Sequence, residues 1–479
     1  MEFKESLSYD DVLLIPDYAD FLPGEVDVHT TLCPGIELNA PILSAAMDTV
    51  TEQEMAIAVA LQGGAGVIHR NLSPQEQAAQ VAKVKRYLNW VIEDPITVKP
   101  DETVGEVKRR TAEHGISGLP VVNPDGTLAG IITGRDLRFC SDDAKLVSEV
   151  MTPDPVVEKG IPTPESAQAK FDAHKIEKLP VVDADGRLTG LVTVKDMEKH
   201  QDFPKAAVDS RGRLIVGAAV SPNDWQVRIP LLEAANVDFV VLDTAHGDSK
   251  SVIEAVRGMK QASAVAVIGG NVATAAGTRR LIDAGADVVK VGVGPGSICT
   301  TRIVAGIGVP QFTAVLECAE EAAKSGIPII ADGGIKFSGD ITKAICAGAS
   351  AVMIGNLLAG LKEAPGREII YDGRMFKEYR GMGSITAIKE GSGDRYQMKS
   401  GEAPVPEGIE GRVPYKGELK NFIHQMVTGL QKGMGYCGCK SIDELRRYTN
   451  FVKISPSGLQ ESHAHDVTIT QEAPNYSRI

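Results

Sequence analysis

The chain has 479 residues, 43% hydrophobic and 24% charged, which is enough to bury a large core without disulfide staples. Its 50 basic and 63 acidic side chains leave a formal charge of −13, which argues against broad nucleic-acid binding through a basic face. No uncharged apolar run approaches the length that crosses a bilayer, and the polar start Met1-Glu2-Phe3-Lys4-Glu5 has no apolar signal core.

In chain order, the first signal is a series of short β-branched runs, each followed by a helical stretch. Pro41–Ser44 and Gly66–His69 come first. After an interruption follow Leu214–Val220, Asp238–Asp243, Val265–Gly269, Asp287–Val291, Ile327–Asp332 and Ala351–Gly355. Continuous apolar runs fit strands covered on both faces, as in parallel sheets. Segments such as Gly277–Ala284 and Leu316–Ser325 supply intervening helices. Eight such units predict an α/β fold, a (β/α)8 TIM barrel, with its chemistry at the C-terminal ends of the strands.

The interruption carries an internal repeat. Leu119-Pro120-Val121-Val122 recurs as Leu179-Pro180-Val181-Val182, and Asp125-Gly126 as Asp185-Gly186. Gly130-Ile131-Ile132-Thr133-Gly134-Arg135-Asp136 recurs as Gly190-Leu191-Val192-Thr193-Val194-Lys195-Asp196, again 60 residues on. A fixed offset of this size means a duplicated supersecondary unit. The insert is placed at about 92–202, with halves of about 92–145 and 150–202. The barrel takes 1–91 and 203–479. Pro95 and Pro204 suit the two hinges. An insertion without any ligand is the plainer alternative.

The most informative segment follows the sixth run: Val291-Gly292-Val293-Gly294-Pro295-Gly296-Ser297-Ile298-Cys299-Thr300-Thr301-Arg302. Its glycines permit positive φ and close approach to a ligand, but the spacing is not the dinucleotide GxGxxG. Cys299 lies in a loop among Ser, Thr and Arg, and a nearby cation favours thiolate, so it is a candidate nucleophile. The chain's seven cysteines are otherwise scattered. Cys33, Cys140, Cys318 and Cys346 read as bystander thiols, and Cys437-Gly438-Cys439 is too closely spaced for a zinc knuckle. A reduced, cytoplasmic protein is expected. Asp332 ends the seventh run, as a ligand or as a helix N-cap. His246 lacks partners that would mark a base or metal ligand and reads as structural.

Gly294-Pro295-Gly296-Ser297-Ile298-Cys299-Thr300-Thr301-Arg302 resembles the catalytic loop of the inosine monophosphate dehydrogenase and guanosine monophosphate reductase family. The resemblance extends over nearly the whole chain. It includes Ser8-Tyr9-Asp10-Asp11-Val12, Ser44-Ala45-Ala46-Met47-Asp48-Thr49-Val50 and Glu461-Ser462-His463-Ala464-His465-Asp466-Val467. The repeated insert resembles a tandem pair of cystathionine-β-synthase (CBS) domains, the Bateman unit this family carries. Within the family, Asp394-Arg395-Tyr396 and Glu407 to Gly417 resemble the mobile flap of the dehydrogenases, here about 384–417, which the reductases lack. That implies oxidation of inosine monophosphate (IMP) by NAD to xanthosine monophosphate, the committed step of guanine nucleotide synthesis.

The resemblance also implies roles. Cys299 bonds to the purine, Arg395 with Tyr396 activates water, and Thr301 with Glu407 forms a second proton route. Glu407 fits the bacterial form. Phosphate meets Ser297, Gly333, Gly334, Gly355, Asn356 and Tyr379. The ribose diol meets Asp332, and Arg380, Gly381, Met382, Gly383 and Glu407 complete the substrate site. NAD meets Asp243, Gly292, Val293 and Gly294. A potassium ion is held by carbonyls of Gly294, Gly296 and Cys299, with Glu461, Ser462 and His463 from a neighbouring subunit. The implied assembly is a homotetramer, with pairing into octamers left open. Asn356 replaces a frequent Ser, and Gln397 a frequent Phe.

Two other readings remain. One is a guanosine monophosphate reductase on the same scaffold. The other is a nucleotide-sensing regulatory protein working through its CBS pair. Thr133/Asp136 and Thr193/Asp196 fit the ribose-holding pattern of adenine-binding CBS domains, so purine nucleotides are expected effectors.

Overall fold

The computed structural model describes residues 4–93, 95–396, 405–471 and 473–476. It divides into two compact units. The first comprises Met1–Tyr87, Lys205–Ser210 and Leu214–Ile479. The second comprises Leu88–Pro204 with Arg211–Arg213.

All eight apolar runs become strands of one closed parallel barrel in the first unit. They are β1 (Ile42–Ser44), β2 (Ala65–Ile68), β3 (Val216–Val220), β4 (Phe239–Asp243), β5 (Ala266–Val272), β6 (Val288–Val291), β7 (Ile329–Asp332) and β8 (Ala351–Ile354). The barrel closes where β8 pairs with β1 and β2 with β3. Strands sandwiched between an inner core and an outer helix layer have no solvated face, which is why these segments read as unbroken apolar runs. Leu43, Val67, Ala219, Val241, Ile268, Ile330 and Met353 pack together in that core.

Several boundaries differ from the sequence expectation, three of them informatively. β5 continues past Gly269 to Val272 because the polar Asn271 is satisfied in place: its Nδ2 donates to the Gly292 carbonyl at 2.8 Å. The helix expected over Leu316–Ser325 starts at Gln311, because Phe312 and Val315 already belong to its buried face. The expected Gly277–Ala284 helix runs over Ala275–Asp283, capped by the Thr274 hydroxyl, which accepts from Gly277 N.

Beyond the barrel, Glu368–Tyr371, Arg374–Arg380 and Glu410–Pro414 form an antiparallel sheet that the apolar pattern did not announce. Its outer strands are mostly exposed, while Arg374–Arg380 is largely buried or half-buried. It matters because Arg374–Arg380 holds Glu410–Pro414 in register and so delivers residues 407–409 to the barrel mouth.

In the second unit, the 60-residue sequence repeat is matched by repeated structure. Val104–His114, Gly118–Val122 and Leu128–Thr133 are followed by Pro164–His174, Lys178–Val182 and Leu188–Thr193. Each strand pair is an antiparallel hairpin, with a bulge at Val121/Val122 in one and Val181/Val182 in the other. Thr133 Oγ1 donates to Asp136 at 2.7 Å, and Thr193 Oγ1 to Asp196 at 2.6 Å, at the start of equivalent helices.

Candidate active site

The C-terminal ends of β4 to β7 open into a cleft with a cavity volume of about 130 Å3. Backbone conformation shapes its floor. After β6 the chain turns at Gly292, with φ 152, against the end of β7. A Cβ there would sit 2.1 Å from the Asp332 carbonyl oxygen, so only glycine fits. Gly294, with φ 79, then leads into the cysteine loop.

Cys299 is partly exposed and precedes the short helix Thr301–Val304. Its sulfur lies 3.2 Å from Thr301 Oγ1, which donates to Glu407 Oε2 at 2.7 Å. The backbone locks this arrangement. Thr300 N donates to the Glu407 carbonyl at 2.9 Å, and Ile409 N to the Ile298 carbonyl at 3.1 Å. The cysteine loop and the segment carrying Glu407 are thus zipped together like two strands, with a bridge at Cys299 and Gly408. Arg302 packs nearby, its guanidinium donating to the Val309 carbonyl at 2.6 Å, and burial lowers its pKa. Burial pushes the thiols of Cys33, Cys318 and Cys346 up to about 12. They are poor nucleophiles near neutrality.

The opposite wall is charged. Lys290 of β6 is 1% exposed, and its Nζ reaches Asp332 Oδ2 at 2.7 Å, Asp243 Oδ1 at 3.1 Å and Asn271 Oδ1. Asn271 Nδ2 also donates to Asp332 Oδ2 at 2.8 Å. Arg395 crosses the cleft to pair with Asp243 Oδ2, and its carbonyl accepts from Ala245 N at 3.3 Å.

Cys299, Thr301, Asp332, Gly333, Tyr379, Gly381, Met382, Gly383, Arg395 and Glu407 all line this cleft, as do Gly292, Val293, Gly294 and Gly296. Asp243 reaches it through Arg395 and Lys290. Ser297 is exposed just outside, near Tyr379, whose phenol is pushed above its usual range by burial. Gly355 lies beside the Tyr379 hydroxyl, which would stand only 3.3 Å from a Cβ at that position, and Asn356 starts the next helix. Gly334, with φ 81, continues the turn from Gly333. Arg380 points elsewhere: its guanidinium holds Asp48 at 2.8 Å and also pairs with Glu390. Within this chain Glu461, Ser462 and His463 end the helix Pro456–Ser462, and the His463 ring packs 6.0 Å from Phe337. They are not part of the cleft wall. The side chain of Tyr396 and all of Gln397 lie outside the described residues. Among the described residues, no cluster of three His, Cys, Asp or Glu side chains could hold a metal.

Sequence reasoning missed Lys290, Asn271 and Met47. The first two left a readable sign: a cation in an otherwise apolar, doubly covered strand, and an amide at the end of another.

The family model for the IMP dehydrogenase / GMP reductase domain matches residues 6–465. The chain belongs to the IMP dehydrogenase/GMP reductase family. Its relatives in that family include the inosine-5'-monophosphate dehydrogenase of Halalkalibacterium halodurans, 56% identical over 99% of this chain and 98% of that one. Those of Aquifex aeolicus and Bacillus subtilis are 55% and 53% identical with the same coverage. Among solved structures, a Trypanosoma brucei GMP reductase variant in complex with guanosine 5'-monophosphate superposes with a TM-score of 0.83. It is 42% identical and covers 97% of this chain and 99% of that one. Both branches of the family therefore share this barrel.

Proposed function

We propose that the chain oxidises IMP to xanthosine monophosphate with NAD, through a covalent purine adduct on Cys299 that is then hydrolysed. One observation carries this reading: Arg395 enters the cleft that holds Cys299 and pairs with Asp243. A water-activating group belongs to a hydrolytic second half-reaction, which a reductase does not need. The dehydrogenases named above, at 53–56% identity, support the same choice.

In this mechanism IMP sits with its phosphate at Ser297, Gly333, Gly334, Gly355, Asn356 and Tyr379, and its ribose diol on Asp332. Backbone groups at Met382 and Gly383 face the base. The Cys299 thiolate adds at C2 of the purine. Asp243, Gly292, Val293 and Gly294 would hold NAD, which would supply the acceptor for the hydride leaving C2. Arg395 then occupies the vacated side and orients water toward C2. A guanidinium loses a proton only with difficulty. The proton released by the attacking water therefore has a second path, through the Thr301 hydroxyl to the Glu407 carboxylate. Water adds to C2, the carbon–sulfur bond breaks, and the thiolate is regenerated.

Carbonyls of Gly294, Gly296 and Cys299 offer a donor set without formal charge, which suits a monovalent cation such as potassium. The Gly296 carbonyl accepts from Cys299 N at 3.1 Å and retains a second lone pair. Glu461, Ser462 and His463 of a neighbouring subunit would complete that set in a homotetramer. The insert is read as tandem CBS domains that bind purine nucleotides.

The deciding experiment supplies IMP with NAD in one cuvette and guanosine monophosphate with NADPH in another. NADH formation in the first and no NADPH consumption in the second is the expected result. The converse pattern would make the chain a reductase, the function named for its solved neighbour.

A further inference from the structure

Lys290 is the least expected residue in the barrel. It stands in the run Val288-Val289-Lys290-Val291, which is buried throughout. An ammonium has three donors. Here each meets an acceptor at the end of a different strand: Asp243 on β4, Asn271 on β5 and Asp332 on β7. The neighbours β5 and β7 pair directly with β6, so the side chain stays short of the cleft floor and reaches across to β4.

This geometry sorts the carboxylate oxygens. Asp332 Oδ2 is occupied by Lys290 and by Asn271 Nδ2. Asp243 Oδ1 is occupied by Lys290, and Oδ2 takes Arg395. In each carboxylate Lys290 anchors one oxygen, and the second oxygen of Asp243 faces the cleft-lining Arg395. Stability alone does not require such a cation, since a buried ion pair can often be replaced by apolar residues without loss of folding.

We infer that Lys290 is a positioning residue shared by two binding sites: one buried ammonium orients both the substrate-side Asp332 and the cofactor-side Asp243. This rests on the reading of those two aspartates as ribose acceptors. The two sites then depend on a common cation, although neither ligand touches it.

The test uses the full chain and steady-state kinetics with IMP and NAD varied separately. Lys290→Met keeps the length and removes the charge. The expected result is a rise of about tenfold or more in KM for both ligands, the scale of a lost charged hydrogen bond. Lys290→Arg keeps a cation and is expected to hold both values within about threefold. Asp332→Asn and Asp243→Asn run alongside, each expected to raise chiefly one KM, for IMP and NAD respectively. If those two leave KM unchanged, the ribose reading fails. If they behave as expected while Lys290→Met alters neither KM, or only one, the shared-cation inference fails. Should Lys290→Met not fold by circular dichroism, Asn271→Ala decides the matter. It removes one acceptor of Lys290 and one donor to Asp332, so KM for IMP rises. An unchanged value there overturns the inference. A merely structural lysine would lower Tm and leave the KM values of the folded fraction alone.

Discussion

Thr301 donates its hydroxyl to Glu407 Oε2 at 2.7 Å while standing 3.2 Å from the sulfur of Cys299. The Cys299 thiol and the Glu407 carboxylate are therefore joined by a single hydroxyl. Replacing Glu407 by Gln, or Thr301 by Val, is expected to leave the first burst of NADH intact and to slow the later hydrolysis about tenfold or more. Stopped-flow absorbance separates the two phases. A slowed burst with unaltered steady state would remove this relay.

Cys299→Ala is expected to lose both NADH formation and product, by about three orders of magnitude or more. Mass spectrometry of the enzyme quenched in turnover checks the same point from the other side. An adduct of nucleotide mass on the peptide containing Cys299 is expected, and retained turnover in the variant would refute the covalent route.

For Arg395→Ala the burst is expected to persist and hydrolysis to fall about 10²–10⁴-fold, the range of general acid–base contributions. Trapping of the adduct should increase accordingly. Rapid-quench time courses of both the adduct and xanthosine monophosphate report the outcome.

Lys85 provides a stability test away from the cleft. It is buried, and its Nζ meets Asp238 at 2.7 Å, Asp209 at 3.0 Å and the Leu214 carbonyl at 3.0 Å. Burial pushes the Asp238 carboxyl up, and Lys85 pulls it back down. Lys85→Ala strands that carboxylate and is expected to cost about 3–5 kcal/mol. Calorimetry should show the barrel transition at lower temperature, while turnover per folded molecule stays unchanged.

Replacing potassium by a bulky organic cation is expected to reduce turnover severalfold without unfolding the protein. Assays at constant ionic strength, paired with circular dichroism, separate a loss of the cation from a loss of screening.

The barrel was legible because its strands are covered on both sides, so burial wrote itself into the sequence as apolar runs. Ends were less legible. Asn271 extends β5 through hydrogen bonds made with β6 and β7, and partners so distant in sequence leave no local pattern. The sheet built from Arg374–Arg380 and Glu410–Pro414 was silent for another reason: Glu410–Pro414 is mostly exposed, and the buried positions of Arg374–Arg380 include Lys377 and Tyr379, so no apolar period forms. In the cleft, Cys299, Thr301, Asp332, Arg395 and Glu407 were found by their motifs and do lie together. Arg380 was expected among the substrate contacts, yet its charge is engaged by Asp48 and Glu390, a pairing that spacing along the chain cannot reveal. Lys290 was passed over as part of a strand, although a lone cation there is itself a signal.

The pairing of Arg395 with Asp243 has a consequence for inhibition. Two claimants to one carboxylate oxygen are antagonists, and whatever factor favours the first disfavours the second equally. A compound lodged against Asp243 binds only those molecules whose arginine has swung away, so its apparent potency scales with their fraction. Substitutions around residues 384–396 that never touch the compound would then raise or lower its potency. Two homologues with identical pocket walls can differ in drug sensitivity for this reason alone.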